Sequence, residues 1–165
     1  MNRIGDALYC TGSNEPLVRA LVNAGVEFIV VGGLAVAWYC PDRLADDLDL
    51  LIAPTPDNSK RLSQVLSNLN LNGHTPTSFV KVGLQVPLKV EYYADLLTPK
   101  TNDPSYFELA RDAVEAKLFN IPVRVASVAS LIRQKEQAVA TIDVEAEKKK
   151  HIEDIDRLKM IEQPN

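Results

Sequence analysis

Apolar positions recur at helical spacing through Leu17, Ala20, Leu21 and Ala24, behind an entry of Ser13-Asn14-Glu15-Pro16. An Asn cap and a Pro in the first turn deal with amide donors that have no helical partner. Gly25 then stops the helix with a backbone that tolerates positive φ. Residues 26–31 are mostly β-branched or aromatic, which predicts a short buried strand. Gly32-Gly33 breaks that run, residues 34–39 resume as a short apolar helix, and Pro41 ends it. Residues 47–53 are the second predicted strand, and Thr55-Pro56 opens a helix with Leu62, Val65, Leu66 and Leu69 on its buried stripe. A polar break over 70–77 precedes two extended runs, 78–82 and 86–97. Asp103-Pro104 opens a helix reaching Lys117 or Leu118, and residues 121–126 form a strand that Pro122 marks as an edge. A helix starts at Ser127 or Ser130 and runs through Leu131, Ile132 and Lys135. The charged tail over 145–160 is a last helix, with Ile152, Ile155 and Leu158 inward.

This order predicts an α+β or α/β chain, a small twisted mixed sheet flanked by helices. At 165 residues it suits one domain over 1–165, with a helical C-terminal part over about 127–160. An apolar share of 46% against 24% charged excludes a disordered chain. The longest apolar stretch, residues 28–40, falls short of the roughly 18 a membrane span needs. The first residues show no leader pattern, and Cys10 and Cys40 match no metal spacing. The expectation is a cytoplasmic protein with reduced thiols and no membrane partner. A net charge of −4 argues against a dedicated nucleic-acid coat, though a local basic patch can still meet a phosphate.

The chemistry concentrates between residues 32 and 52. Gly32-Gly33 lies between a strand and a helix, where exposed N–H groups favour a phosphate. A tight turn needs glycine in any case, and the dinucleotide fingerprint spacing is absent, so the pair alone does not specify a ligand. Asp47 and Asp49 stand two apart in a predicted strand and project to one face. Neighbouring carboxylates repel and raise each other's pKa unless a cation sits between them. Magnesium is the natural one, because it takes one or two carboxylates and completes its shell with phosphate oxygens and water. A strand edge decorated with acids is the alternative reading.

Val30-Val31-Gly32-Gly33-Leu34-Ala35-Val36-Ala37, then Arg43, then Asp47-Leu48-Asp49-Leu50-Leu51 resembles the nucleotidyltransferase superfamily, the polymerase-beta-like fold. More narrowly it is similar to a small bacterial branch that includes the AbiE abortive-infection toxins and minimal nucleotidyltransferases. Residues 125–135, ending in Leu131-Ile132-x-x-Lys135, and then Lys150, Asp154 and Leu158 are similar to that branch's ending. The resemblance implies transfer of a nucleoside monophosphate from a triphosphate to a hydroxyl, with two magnesium ions when substrate is bound. It implies Asp47 and Asp49 as metal ligands and a third carboxylate that binds a metal or takes the nucleophile's proton. Asp95, opening an Asp-Leu-Leu-Thr-Pro run, is preferred for that place. Glu91, on the same face of the same predicted strand, is the other candidate, about 13 Å away along an unbent strand. Gly32 and Gly33 would cradle phosphates. Arg43 would either pair with phosphate or lie ion-paired to Asp42 or Asp46. Lys135 would reach a phosphate or, like most lysines on amphipathic helices, stay solvated.

Two departures from the branch leave other functions open. Ala45 stands where a Thr or Ser is common, and His151 where the C-terminal motif has its first Asp. The alternatives are a catalytically silent module that binds nucleotide or protein, and a toxin–antitoxin component whose main contact is its antitoxin or toxin partner. For an active enzyme the acceptor is open among RNA, a protein hydroxyl and a small molecule.

Overall fold

The computed structural model describes residues 1–162. Within them an eight-stranded mixed sheet carries six α-helices. Two short strands, β1 (Arg3–Ile4) and β2 (Ala7–Leu8), precede α1 (Asn14–Asn23). Next come β3 (Phe28–Val31), α2 (Gly32–Tyr39), β4 (Leu48–Ile52) and α3 (Pro56–Asn68). A hairpin of β5 (Gln85–Pro87) and β6 (Ala94–Leu97) leads to α4 (Tyr106–Asp112). A second hairpin, β7 (Val114–Leu118) and β8 (Ile121–Val125), is followed by α5 (Val128–Thr141) and α6 (Glu145–Glu162). The strand order is β1-β2-β7-β8-β3-β4-β6-β5. This is the α+β class expected, with helices against a twisted mixed sheet.

The centre of the sheet positions the chemistry. β4 lies between β3, antiparallel to it, and β6, parallel to it. Leu48, Leu50 and Ile52 are fully buried on one face of β4, each worth roughly 1.5–3 kcal/mol on transfer from water. That burial fixes the register, because a slip of one residue would turn the leucines out and Asp49 in. The α2 helix follows β3 without a loop and packs against α5 and α6, which lie against each other.

Several expectations are corrected. Asn14 is not the helix cap: Ser13 holds that position, and Asn14 is buried inside α1. Its amide donates to the carbonyl of Tyr93 (3.1 Å) and its Oδ1 accepts the Tyr93 N–H (2.9 Å), tying α1 to the entry of β6. Residues 78–80 form a 3₁₀ turn rather than a strand. Local hydrogen bonds between Thr75 and Ser78 roll the segment up, and Phe79 drops fully buried into the core. The run 86–97 is two antiparallel strands with a turn at Lys89, Val90 and Glu91. The helix opened near Pro104 ends at Asp112, because Val114-Glu115-Ala116-Lys117-Leu118 alternates inside and outside with strand period. Phe119 and Asn120, both at positive φ, make the two-residue turn into β8. Pro122 does not mark an edge, since β8 lies between β7 and β3. β3 pairs with β8 only at Val125, so the missing N–H of Pro122 breaks no ladder bond. On α6 the inward positions are Asp154, Ile155 and Leu158, while Ile152 is exposed.

Candidate active site

The turn from β3 into α2 and the start of β4 meet because Val31 pairs with Asp49. Gly32, the next residue, has φ +71°, and a Cβ built on it would lie 2.1 Å from Oδ2 of Asp49. The close approach and the left-handed backbone both require glycine. At Gly33 a Cβ would come to 3.0 Å of the Arg43 guanidinium. Gly32→Ala is therefore expected to destabilise the fold by roughly 1–2 kcal/mol through its backbone alone and to push the Asp49 carboxylate aside. Gly33→Ala has no positive φ to strain and meets the Arg43 guanidinium and, at 3.4 Å, the Ala45 Cβ rather than a carboxylate at overlap distance, so it should cost less. Thermal unfolding of the two variants checks the order, and equal losses would contradict it.

Asp95 is the parallel-register partner of Asp49, so their backbones lie about 4.8 Å apart on neighbouring strands. Asp47 sits just before β4 and is half-buried. Lys89, from the β5–β6 turn, donates to Asp47 Oδ2 at 3.2 Å and lies 3.8 Å from Asp95 Oδ2. Asp95 is buried, and its Oδ1 has no hydrogen-bond partner. Burial, then the charges of Asp95 and Asp47, push the Asp49 carboxyl up to about 6, against the opposing pull of Lys135 and Lys89. Among the described residues no three carboxylate, imidazole or thiol groups already converge into a metal cage. Asp49 and Asp95 on the paired strands, with Asp47 just ahead of β4, present carboxylate oxygens, and Lys89 is the cation within ion-pair distance of Asp47 and Asp95.

Glu91 is not among them. It is exposed in the β5–β6 turn, where the backbone reverses between Pro87 and Ala94, and so shares no strand face with Asp95. Its neighbours line a separate shallow depression with Asn70 and His74.

Asp47 and Asp49 share a cleft with several cations. The cleft, of about 400 Å³, is lined by Gly32, Gly33, Asp47 and Asp49 together with Arg43, Lys135, Lys150 and His151, and by the further acids Asp46, Glu147 and Asp154. Arg43 takes neither Asp42 nor Asp46 as its partner. Its Nε and Nη2 donate to Asp154 at 2.7 and 3.2 Å, across 111 residues of chain. Lys135 is buried rather than solvated, with its ammonium 3.0 Å from Asp154 Oδ2. Arg157 adds a third cation at 3.5 Å. Burial alone would raise the Asp154 carboxyl, but the Arg43 hydrogen bond and the Lys135 charge outweigh it and hold it below the usual range. In the sequence Asp154 stands only as part of a motif, and its spacing gives no sign that it anchors cations from two other elements. A larger concavity of about 600 Å³, lined by Trp38, Lys117, Pro122 and Arg124, lies apart from all of these groups.

The same architecture occurs in known structures. No protein-family model matches the chain, and no curated sequence matches it. A crystal structure of an antigenic nucleotidyltransferase-like protein from Paracoccidioides brasiliensis is similar with a TM-score of 0.60. The likeness runs at 15% identity over 91% of this chain and 75% of that one. The crystal structure of ANT(2")-Ia in complex with adenylyl-2"-tobramycin matches with a TM-score of 0.59, 15% identity, 89% of this chain and 86% of that one. The chain therefore has the fold of nucleotidyltransferase-like proteins.

Proposed function

We propose that the protein is a magnesium-dependent nucleotidyltransferase, moving a nucleoside monophosphate from a triphosphate to a hydroxyl acceptor. The observation that carries this reading is one cleft whose lining brings Asp47 and Asp49 together with Gly32, Gly33, Arg43 and Lys135, while Asp95 is paired with Asp49 on the next strand. Such a cleft holds both kinds of group the reaction needs: carboxylates for cations and a reacting hydroxyl, and N–H groups and fixed cations for phosphates. The fold alone supports many activities, so the weight rests on this arrangement.

The donors fit magnesium. They are all carboxylate oxygens, one of them buried without a partner, and magnesium binds through one or two carboxylates plus phosphate and water rather than a complete protein cage. Asp47, Asp49 and Asp95 would hold it. When bound it neutralises the triphosphate and lowers the pKa of the attacking hydroxyl. The N–H groups of Gly32 and Gly33, with Lys135 and Arg43, bind and orient the triphosphate so that its α-phosphorus faces the aspartates. The acceptor oxygen forms a bond to that phosphorus, the bond to the pyrophosphate oxygen breaks, and the hydroxyl proton passes to the carboxylate cluster.

The narrower reading, a member of the small bacterial toxin-like branch, rests on the Lys135 and Asp154 ending, since both residues meet in the cleft. Ala45 favours the silent-module alternative, for it offers no hydroxyl and its backbone is occupied by Asn2. Incubation with each α-labelled triphosphate and magnesium tests the choice, against total RNA, candidate partner proteins and an aminoglycoside. Label transfer to one acceptor class, lost in Asp47→Asn, supports the enzyme. Magnesium-dependent binding without transfer to any of them supports the silent module.

A further inference from the structure

His151 is half-buried on α6, lines the cleft, and has an Nδ1 that is buried with no hydrogen-bond partner. A neutral imidazole tolerates this if the other nitrogen carries the proton, because a lone pair without a donor costs less than a buried N–H without an acceptor. The surrounding charges are mixed. Lys135 reaches it from α5 and Arg43 from the segment after α2, while Glu147 stands one turn before it and Asp154 one turn after, on α6 itself. Lys150 precedes it on α6, and Asp46, Asp47 and Asp49 lie elsewhere on the cleft wall.

We infer that His151 is a proton-linked anion contact of this chain: neutral in the empty cleft, it becomes imidazolium when a triphosphate enters and donates to a phosphate oxygen. The inference rests on the nucleotide reading of the cleft. In the empty cleft burial, then Lys135, hold the imidazole below its ordinary pKa. An incoming phosphate cancels the field of Lys135 and Arg43. The negative charges of Glu147 and Asp154 then remain to favour the imidazolium. A histidine at this position thus couples nucleotide binding to pH, which an aspartate facing the same phosphates could not do.

The protein contains two histidines, so the experiment is direct. Carbon-detected NMR of ¹³C-labelled full-length protein follows both rings against pH, with and without magnesium and a non-hydrolysable triphosphate. The His151→Gln variant assigns the signals and His74 serves as the control. The expected result is a rise of one unit or more in the His151 midpoint on binding. Affinity of the wild type should then fall by up to about tenfold per pH unit between the two midpoints, and by less in His151→Gln. Nucleotide binding with an unmoved or lowered His151 midpoint, or with the same pH slope in both proteins, overturns the inference and leaves the nucleotide reading intact. Absence of nucleotide binding in both proteins overturns that reading and the inference with it.

Discussion

Asp49→Asn is expected to make the metal-free protein more stable at pH 8 while abolishing its magnesium-dependent nucleotide binding. In an unfolded chain the carboxyl loses its proton near 3.8; in the fold it keeps it to about 6. Between those values the folded state binds more protons, so stability falls as pH rises, and the whole cost is present above about 6. A shift of that size corresponds to roughly 3 kcal/mol, against which Lys89 and Lys135 already work. Asn keeps the volume and removes the charge, relieving Asp95 and Asp47 at the same time. The variant should therefore gain about 2–3 kcal/mol over the wild type at pH 8. The gain should shrink below pH 6 and vanish near pH 4. Urea unfolding at several pH values measures the first effect, and calorimetry with magnesium and a non-hydrolysable triphosphate the second. Equal stability of the two proteins at pH 8 would mean that neither burial nor the charges of Asp95 and Asp47 penalise the Asp49 carboxylate. Unchanged nucleotide binding would remove it from the metal site.

The aspartate half of the cleft is legible in the amino-acid sequence. Two-residue spacing keeps Asp47, just ahead of β4, close to Asp49 within it, so that both line the cleft; the leucines between and after them demand burial, and the Gly-Gly break forces a turn beside them. These are local signals, each a few residues wide. The roles of the cations that share the cleft were not legible, because their partners are remote. Arg43 has acids on both sides in sequence and ignores them for Asp154. Lys135 resembles any lysine on an amphipathic helix until α6 folds over it. Local pattern also failed where two periods compete. Residues 103–118 begin with helix-opening chemistry and end in strand alternation, and only the pairing of Glu115 with Arg124 and Ala116 with Val123 settles where one gives way to the other. The extended run over 86–97 hides its reversal because Lys89-Val90-Glu91 contains no Gly, Pro or Asn to announce a turn. That hidden reversal removes Glu91 from the strand face and brings Lys89 to Asp47 instead.

The second large effect is expected at Asp154. Its side chain is almost fully buried and faces Arg43, Lys135 and Arg157, so Asp154→Asn leaves a buried ammonium and two guanidinium groups without their counter-charge. Breaking a buried ion pair from one side costs about 3–5 kcal/mol, or roughly 10 °C in the unfolding midpoint of a chain this long. Lys135→Met removes the buried cation and keeps the packing of its stem, so it should cost less than losing the shared anion. The effect has a pH signature. The Asp154 carboxyl is held below its ordinary value, so its contribution is complete above about pH 4 and disappears as pH falls through the lowered value, where the two proteins should converge. Inorganic triphosphate offers a second readout. If the cleft binds polyphosphate, the unneutralised cations of Asp154→Asn should gain more from it than the wild type does, since a ligand stabilises in proportion to its preference for the folded state. A loss below about 1 kcal/mol would show that packing rather than Asp154 holds the three cations. Loss without any rescue by triphosphate would show that the cations are structural, and the phosphate half of the cleft would have to be sought elsewhere.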